Sequence, residues 1–185
     1  KPYYEPMHYY EYDRRTGCAT KQAGRRPAAY WYKLPDQDSR GRGQQRLLEL
    51  DEGRRELALV NKIREDVKRW RESNWEGATN VTKDLLRHWW RKDRVRRFFF
   101  CQMEAVETIL FLNEIRGLRA DGRRGKPRWN PQFTDADFEE LHRFDNQPIE
   151  SLPRVCCKMA TGSGKTVVMG MLITWAFCNR GRVPS

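Results

Sequence analysis

The sequence lacks the patterns that indicate a disulfide-rich, metal-binding or membrane-spanning protein. Its five cysteines include no Cys-x-x-Cys pair and have no framework spacing, which argues against a secreted disulfide scaffold. The three histidines lie far apart and away from any cysteine cluster, so no metal site is predicted from them. The longest apolar stretch, residues 167–178, is too short to cross a bilayer, and no signal peptide is recognisable. These absences favour a cytoplasmic protein without a membrane partner.

Acidic residues are scarce relative to basic ones. The chain has 36 Lys and Arg against 25 Asp and Glu, a net charge of +11, and arginine outnumbers lysine 26 to 10. Such a surplus attracts polyanions, of which nucleic acid is the commonest. An arginine bias in the genome is the alternative explanation, and charge alone leaves it open.

The chain is predicted to open with an aromatic and basic arm over residues 1–45. All seven tyrosines lie in this arm, and turn residues between the aromatic runs predict short strands or extended chain. Tyrosines interleaved with arginines can stack on nucleic-acid bases or pack within sheets, and both roles remain open. Because the 185 residues begin at Lys1 and stop soon after an apolar segment, we expect them to be part of a longer protein.

Residues 46–95 are predicted to form a helical extension. Apolar residues at steps of three and four predict a helix over about 54–72, with one face formed by Leu57, Val60, Ile63, Val67 and Trp70. A second helix over 82–90 would have Thr82 as its cap. Two basic stretches, 87–97 and 116–128, each carry a net charge of +5 and are candidate phosphate contacts.

Residues 96–185 are predicted to begin an α/β domain. A third helix would run from about Phe98 to Ile115, and Thr134-x-x-Asp137 approximates a capping box that opens a short helix. A candidate strand at 154–159 precedes a helix at 166–178 that is apolar on every face, which predicts burial between a sheet and another layer. Since most partners of this helix would lie beyond Ser185, we expect residues 150–185 to fold poorly in this chain alone.

The segment that carries the chemistry joins this strand to this helix and reads Met159-Ala160-Thr161-Gly162-Ser163-Gly164-Lys165-Thr166. Gly162 and Gly164 allow the backbone to curl so that consecutive N–H groups point at phosphate oxygens, and the following helix adds its positive end. Lys165 would reach the β- and γ-phosphates of ATP, and the Thr166 hydroxyl would bind Mg²⁺. The usual phosphate-loop pattern has glycine where this chain has Met159, so Gly-x-Gly-Lys-Thr carries the prediction.

The carboxylate that ATP hydrolysis requires does not follow the loop. It would come from a later strand, but only 19 residues follow Thr166 and none is acidic. The segment Leu47–Glu52 imitates the missing acidic motif, yet it precedes the loop, and Glu49 interrupts what should be an apolar buried strand. We therefore expect the chain to hold part of a nucleotide without turning it over.

The segment Lys158–Thr166 resembles motif I of superfamily 2 helicases, and it is most similar to the ATPase subunits of type III restriction enzymes, where methionine at position 159 is ordinary. Upstream, residues 99–108 resemble the adenine-recognition element of that group, which implies that Gln102 reads the adenine edge. A local helix cap is the alternative role for Gln102. Further segments that begin at Pro2, Gly24 and Asp51 resemble the amino-terminal region of restriction endonucleases with a helicase core, so the resemblance spans most of the chain.

The resemblance implies the start of a RecA-like P-loop domain of DEAD/DEAH-box type, preceded by a mainly helical extension. It implies ATP and Mg²⁺ as cofactors, bound by Gln102, Ala160, Thr161, Gly162, Ser163, Gly164, Lys165 and Thr166. DNA is the implied partner, together with a methyltransferase or specificity subunit, and the intact enzyme would move along duplex DNA and carry a nuclease domain. Two alternatives stay open: a basic DNA-binding module without motor activity, and another P-loop ATPase.

Overall fold

A computed structural model of the chain describes residues 2–13, 16–33, 52–116, 127–134, 136–137 and 155–180. Within these residues, strands β1 (His8–Tyr12) and β2 (Ala19–Ala23) form an antiparallel pair, as do β3 (Ala29–Lys33) and β4 (Glu52–Glu56). The helices are α1 (Ala58–Glu72), α2 (Asn80–Trp89), α3 (Phe100–Glu114) and α4 (Lys165–Asn179). The short strands predicted for the aromatic arm are confirmed. No parallel strand pair lies in the described ranges, so the RecA-like fold stays a prediction.

The first helix begins at Ala58, so the predicted start at residue 54 is wrong. Residues Glu52–Glu56 form β4, in which Arg54 lies opposite Trp31 of β3. The side chain of Asn61 then fastens α1 to the end of this sheet, because its Oδ1 accepts from the Ala28 N–H at 2.8 Å. Hydrophobic periodicity is a local signal, and it cannot reveal that a segment pairs with a distant strand.

The cap of α2 is Thr79 rather than the predicted Thr82. The Thr79 hydroxyl accepts a hydrogen bond from the Thr82 backbone N–H at 3.2 Å, as expected of an N-cap side chain. Thr82 is fully buried in the first turn and donates its hydroxyl to Glu114 on α3. Both threonines satisfy the sequence rule for a cap, and both bond to Glu114, but only the Thr79 hydroxyl accepts from a backbone N–H of the first turn.

Helix α3 is the centre of the molecule and contacts both α1 and α4. Its buried apolar side chains point to several sides of the helix: Phe100, Met103, Val106, Leu110, Phe111 and Leu112. Trp70 of α1 packs on Phe111 with a ring-centroid distance of 5.6 Å, and Leu86 of α2 belongs to the same core. Burying this many large side chains is the main contribution to stability, at about 1.5–3 kcal/mol each.

A buried carboxylate, Glu107 of α3, joins α1 to the end of α2. Its Oε2 accepts from the Arg71 guanidinium at 2.6 and 2.9 Å, and its Oε1 accepts from the indole N–H groups of Trp75 and Trp90, both at 2.9 Å. Burial raises the pKa of Glu107, while Arg71 and the two indoles oppose that rise. Four donors on one carboxylate offset the cost of removing it from water.

Two predictions on the carboxyl-terminal segment are corrected. Residues 155–160 form no strand, and neither of the two described sheets includes them. Helix α4 is present as expected, but only Val168 and Met171 are buried on it, whereas Ile173 and Phe177 are 67% and 75% exposed. Helices α2 and α3 therefore cover one side of α4, and the other side has no cover within the described residues.

The predicted capping box at Thr134 is confirmed. The Thr134 N–H donates to Asp137 Oδ2 at 2.7 Å, and the Asp137 N–H donates to Thr134 Oγ1 at 3.2 Å. Of the short helix predicted to follow, only residues 136–137 lie within the described part of the chain, and both are helical. The acidic segment 47–51 and most of the basic stretch 116–128 also lie outside them.

Candidate phosphate-binding site

The predicted phosphate loop, residues 159–166 and here called the phosphate loop, has two glycines in the left-handed backbone region. Gly162 has φ +76° and Gly164 has φ +79°, and Gly164 is also the N-cap of α4. L-residues with a side chain adopt such φ values at a cost of about 1–2 kcal/mol, so glycine is the residue that this turn requires. The turn brings the chain directly into the amino-terminal end of α4, where the backbone N–H groups lack partners within the helix.

The carbonyl oxygen of Ala160 holds the loop in its curled form. It accepts from the Ser163 hydroxyl at 2.6 Å, from the Ser163 backbone N–H at 3.3 Å and from the Lys165 ammonium at 3.1 Å. The Lys165 side chain therefore folds back over the loop that precedes it while staying exposed to solvent. This places a positive charge beside the curled backbone, as phosphate binding requires.

Gln102 connects α3 to the phosphate loop. Its side chain is only 5% exposed; Oε1 accepts from the Phe99 backbone N–H at 2.9 Å, and Nε2 donates to the Ser163 carbonyl at 3.0 Å. The first bond is the local helix cap that the sequence left open. The second is a contact that the sequence did not predict, and the reading of an adenine edge by Gln102 stays a prediction.

The packing at Gly164 is close because of Gln102. A Cβ atom placed on Gly164 would lie 2.3 Å from Gln102 Nε2, whereas one placed on Gly162 would have nothing within 4 Å. The two glycines have nearly the same φ but different surroundings. Gly162 is required by the backbone alone, and Gly164 is required both by the backbone and by the approach of α3.

Three exposed residues of the loop are the ones that could contact the phosphates of a nucleotide or its magnesium ion. Thr161, Gly162 and Thr166 are exposed, and the Thr166 hydroxyl makes no hydrogen bond with any described residue. Within the described part of the chain, no group of three or more His, Cys, Asp or Glu residues is placed to hold a metal ion. Magnesium keeps several waters and usually binds through one or two carboxylates together with substrate phosphates, so the Thr166 hydroxyl could supply only one of its ligands.

Helix α4 is anchored at its far end by a second buried carboxylate, Glu114 of α3. The Trp175 indole donates to Thr82 Oγ1 at 2.8 Å and to Glu114 Oε1 at 3.2 Å, and the Thr79 N–H donates to Glu114 Oε2 at 2.8 Å. These contacts join α2, α3 and α4, and they fix the direction in which α4 leaves the phosphate loop. A glutamate within an apolar helix was the available sequence signal, since such residues are rarely buried without partners.

A cavity of about 210 Å³ lies between the aromatic arm and α1, among Glu5, Arg25, Arg26, Pro27, Glu56, Asn61, Arg64 and Glu65. Arg25 makes a two-bond ion pair with Glu104 of α3. Burial and the nearby Arg25 lower the pKa of Arg64. The lining contains no residue of the phosphate loop, and its arginines and glutamates balance in charge, so the cavity gives no ground for a nucleotide site.

Comparison of the chain with protein-family models, with curated proteins and with solved structures finds no match. Among the described residues, none of the helices has the length and apolar character needed to span a membrane. The grounds for assigning a function are therefore the geometry of the loop, the exposed surfaces and the sequence pattern.

Proposed function

We propose that this chain is the ATP-binding front part of a DNA-translocating helicase or restriction endonuclease subunit, located in the cytoplasm. The observation that carries the proposal is the curled loop with Gly162 and Gly164 at positive φ, which leads straight into α4. Backbone N–H groups at the start of such a helix, together with a lysine, are a general means of binding phosphate. The resemblance of residues 158–166 to motif I supplies the class of enzyme.

In this proposal each loop residue has a separate role. The backbone N–H groups of residues 162 and 164–166 donate to phosphate oxygens, while the Ser163 N–H keeps its bond to the Ala160 carbonyl. Lys165 exchanges its own bond to that carbonyl for the β- and γ-phosphates. The Thr166 hydroxyl contributes one ligand to magnesium, which neutralises phosphate charge when bound. Gln102 holds Ser163 in place and so keeps the loop curled before the nucleotide arrives.

The exposed apolar side of α4 supports the assignment of residues 96–185 to the start of a RecA-like domain. Met169, Ile173 and Phe177 are each more than half exposed, although they are apolar side chains on a regular helix. A helix packed between a sheet and other helices needs apolar residues on both sides. The amino-terminal part of such a domain, without its sheet, would present one covered side and one open side.

Binding of ATP with magnesium to the full chain tests the proposal. The Lys165→Ala variant is expected to bind about 10- to 100-fold more weakly by isothermal titration calorimetry, since a charged hydrogen bond is worth about 1.5–3 kcal/mol. Lys158→Ala is the matched control, because Lys158 is an exposed lysine next to the loop that makes no hydrogen bond or ion pair with any described residue. Equal affinity of both variants and the unchanged protein would reject the site.

A basic DNA-binding module without motor activity is the second candidate, and the exposed cations between α2 and α3 favour it. Such a module would bind DNA with an affinity that falls steeply with salt and does not respond to ATP. A motor subunit would show ATP affinity that depends on magnesium. Measuring both on the same preparation separates the two candidates.

A further inference from the structure

The loop between α2 and α3, residues 90–99 and here called the basic loop, has more positive charge than the described carboxylates around it neutralise. It contains five arginines and lysines and one carboxylate. That carboxylate, Asp93, pairs with Arg91 at 2.5 and 3.0 Å. The pKa of Asp93 is lowered first by its hydrogen bond from Arg91, and Arg94 lies near enough to add to that effect. The other four cations form no salt bridge with a carboxylate among the described residues: Lys92, Arg94, Arg96 and Arg97.

Two of these four cations are held in place by aromatic rings. The Arg94 guanidinium lies over Phe98, with Cζ 4.6 Å from the ring centroid. The Arg97 guanidinium lies between Tyr3 and Tyr4, with Cζ 4.9 and 5.2 Å from their centroids. A guanidinium over a ring keeps N–H groups available to an anion while losing rotamer freedom before binding, which lowers the entropic cost of binding.

The basic loop is fastened to the same end of α3 as the phosphate loop. Tyr3 packs on Phe99 with a centroid distance of 5.6 Å, and the Phe100 N–H donates to the Pro2 carbonyl at 2.8 Å. One turn further along, Gln102 donates to the Ser163 carbonyl of the phosphate loop. An anion on the basic loop therefore lies beside the elements that position the nucleotide site.

We infer that the basic loop, with Tyr3 and Tyr4, is a contact surface for the phosphate backbone of nucleic acid. Arginine binds phosphate through two parallel N–H groups, and four unneutralised cations over six residues match the closely spaced charges of a nucleic-acid strand. Tyr4 is 53% exposed beside Arg97, so its ring is also accessible to a base. The inference deepens the proposed function, because it assigns the proposed DNA partner to a particular surface.

The test removes two cations that make no hydrogen bond, ion pair or ring contact with any described residue, in the double variant Lys92→Ala/Arg96→Ala. Both side chains are exposed, so their removal leaves the core unchanged. Affinity of the full chain for a 20-base-pair duplex is measured against salt concentration by fluorescence anisotropy. The logarithm of the binding constant falls linearly with the logarithm of the salt concentration, and each phosphate contact contributes about −0.9 to that slope. Loss of two contacts is therefore expected to make the slope less negative by about 1.8. With a single strand of the same length, the slope is expected to become less negative by about 1.4.

The matched control is Lys21→Ala/Arg69→Ala, which removes the same charge from two exposed residues away from the basic loop. An equal change of slope in both double variants would show a general charge effect and would overturn the inference. Stronger competition by poly-glutamate than by the oligonucleotide would assign the surface to an acidic protein and would also overturn it. Failure of ATP binding alone, with the slope change intact, would reject the proposed motor and leave this surface standing.

Discussion

Replacing Gly164 by alanine tests the connection between α3 and the phosphate loop. Gly162 and Gly164 share a positive φ, so alanine at either position costs about 1–2 kcal/mol in backbone strain. At Gly164 alone, the new Cβ would lie 2.3 Å from Gln102 Nε2, and the buried amide would have to move. Gly162→Ala is therefore an internal control that measures the cost of backbone strain alone.

The extra cost at Gly164 follows from the bonds that Gln102 would lose. Its Nε2 donates to the Ser163 carbonyl, and its Oε1 accepts from the Phe99 N–H at the start of α3. Each bond contributes about 1 kcal/mol. Gly164→Ala should thus lower the free energy of unfolding by about 3–4 kcal/mol, against about 1–2 kcal/mol for Gly162→Ala.

Urea denaturation followed by tryptophan fluorescence measures both changes, and a double-mutant cycle with Gln102→Ala isolates the contact. Without the glutamine side chain, Gly164→Ala should cost no more than Gly162→Ala, which gives a coupling free energy of about 2 kcal/mol. Equal costs for the two glycines in the unchanged background would refute the reasoning. So would a cycle in which the effects of Gln102→Ala and Gly164→Ala simply add.

Three further predictions concern stability and use the same urea assay. The ion pair with Lys62 and the bonds from Thr134 hold the pKa of Asp137 at about 2, below its ordinary 3.8, so Asp137 stabilises the fold above pH 4. The stability difference between wild type and Asp137→Asn should shrink as the pH falls from about 4 to 2, and a constant difference would contradict this. Thr79→Ala should cost about 0.5–2 kcal/mol through loss of the α2 cap, and an unchanged stability would mean that the cap contributes nothing. Gly170→Ala should stabilise α4 by about 0.5–1 kcal/mol because nothing lies within 4 Å of its Cβ position, and a loss of stability would reveal an unrecognised contact.

Local patterns predicted the helices and the cap at Thr134 well. Apolar spacing placed the third helix within about two residues of its observed bounds, since α3 runs from Phe100 to Glu114. The same method misplaced the start of α1, because the strand that replaces its first turn is stabilised by β3, about twenty residues away. Periodicity reports which side of a segment is apolar, and it carries no information on which distant segment covers that side.

The sequence predicted the turn of the loop at the candidate site, but it did not predict the contact from α3 that holds the loop. The order Gly-x-Gly-Lys-Thr before an apolar helix specifies the curled turn, because the left-handed φ values at Gly162 and Gly164 are local properties of glycine. The amide bond from Gln102 to Ser163 joins residues that are 61 positions apart. No spacing rule covers such a contact, so the sequence pointed to an adenine role and gave no sign of the bond to the loop.

The sequence alone determined where the phosphate loop lies, which segments are helical and that the surface is basic, because each depends on residues close together in the chain. Only the tertiary structure decided which carboxylates are buried and which side of α4 stays open. Glu107 and Glu114 are acceptable in the interior solely because donors from α1, α2 and α4 converge on them. Such convergence depends on how the helices pack, and helix packing is a property of the whole fold.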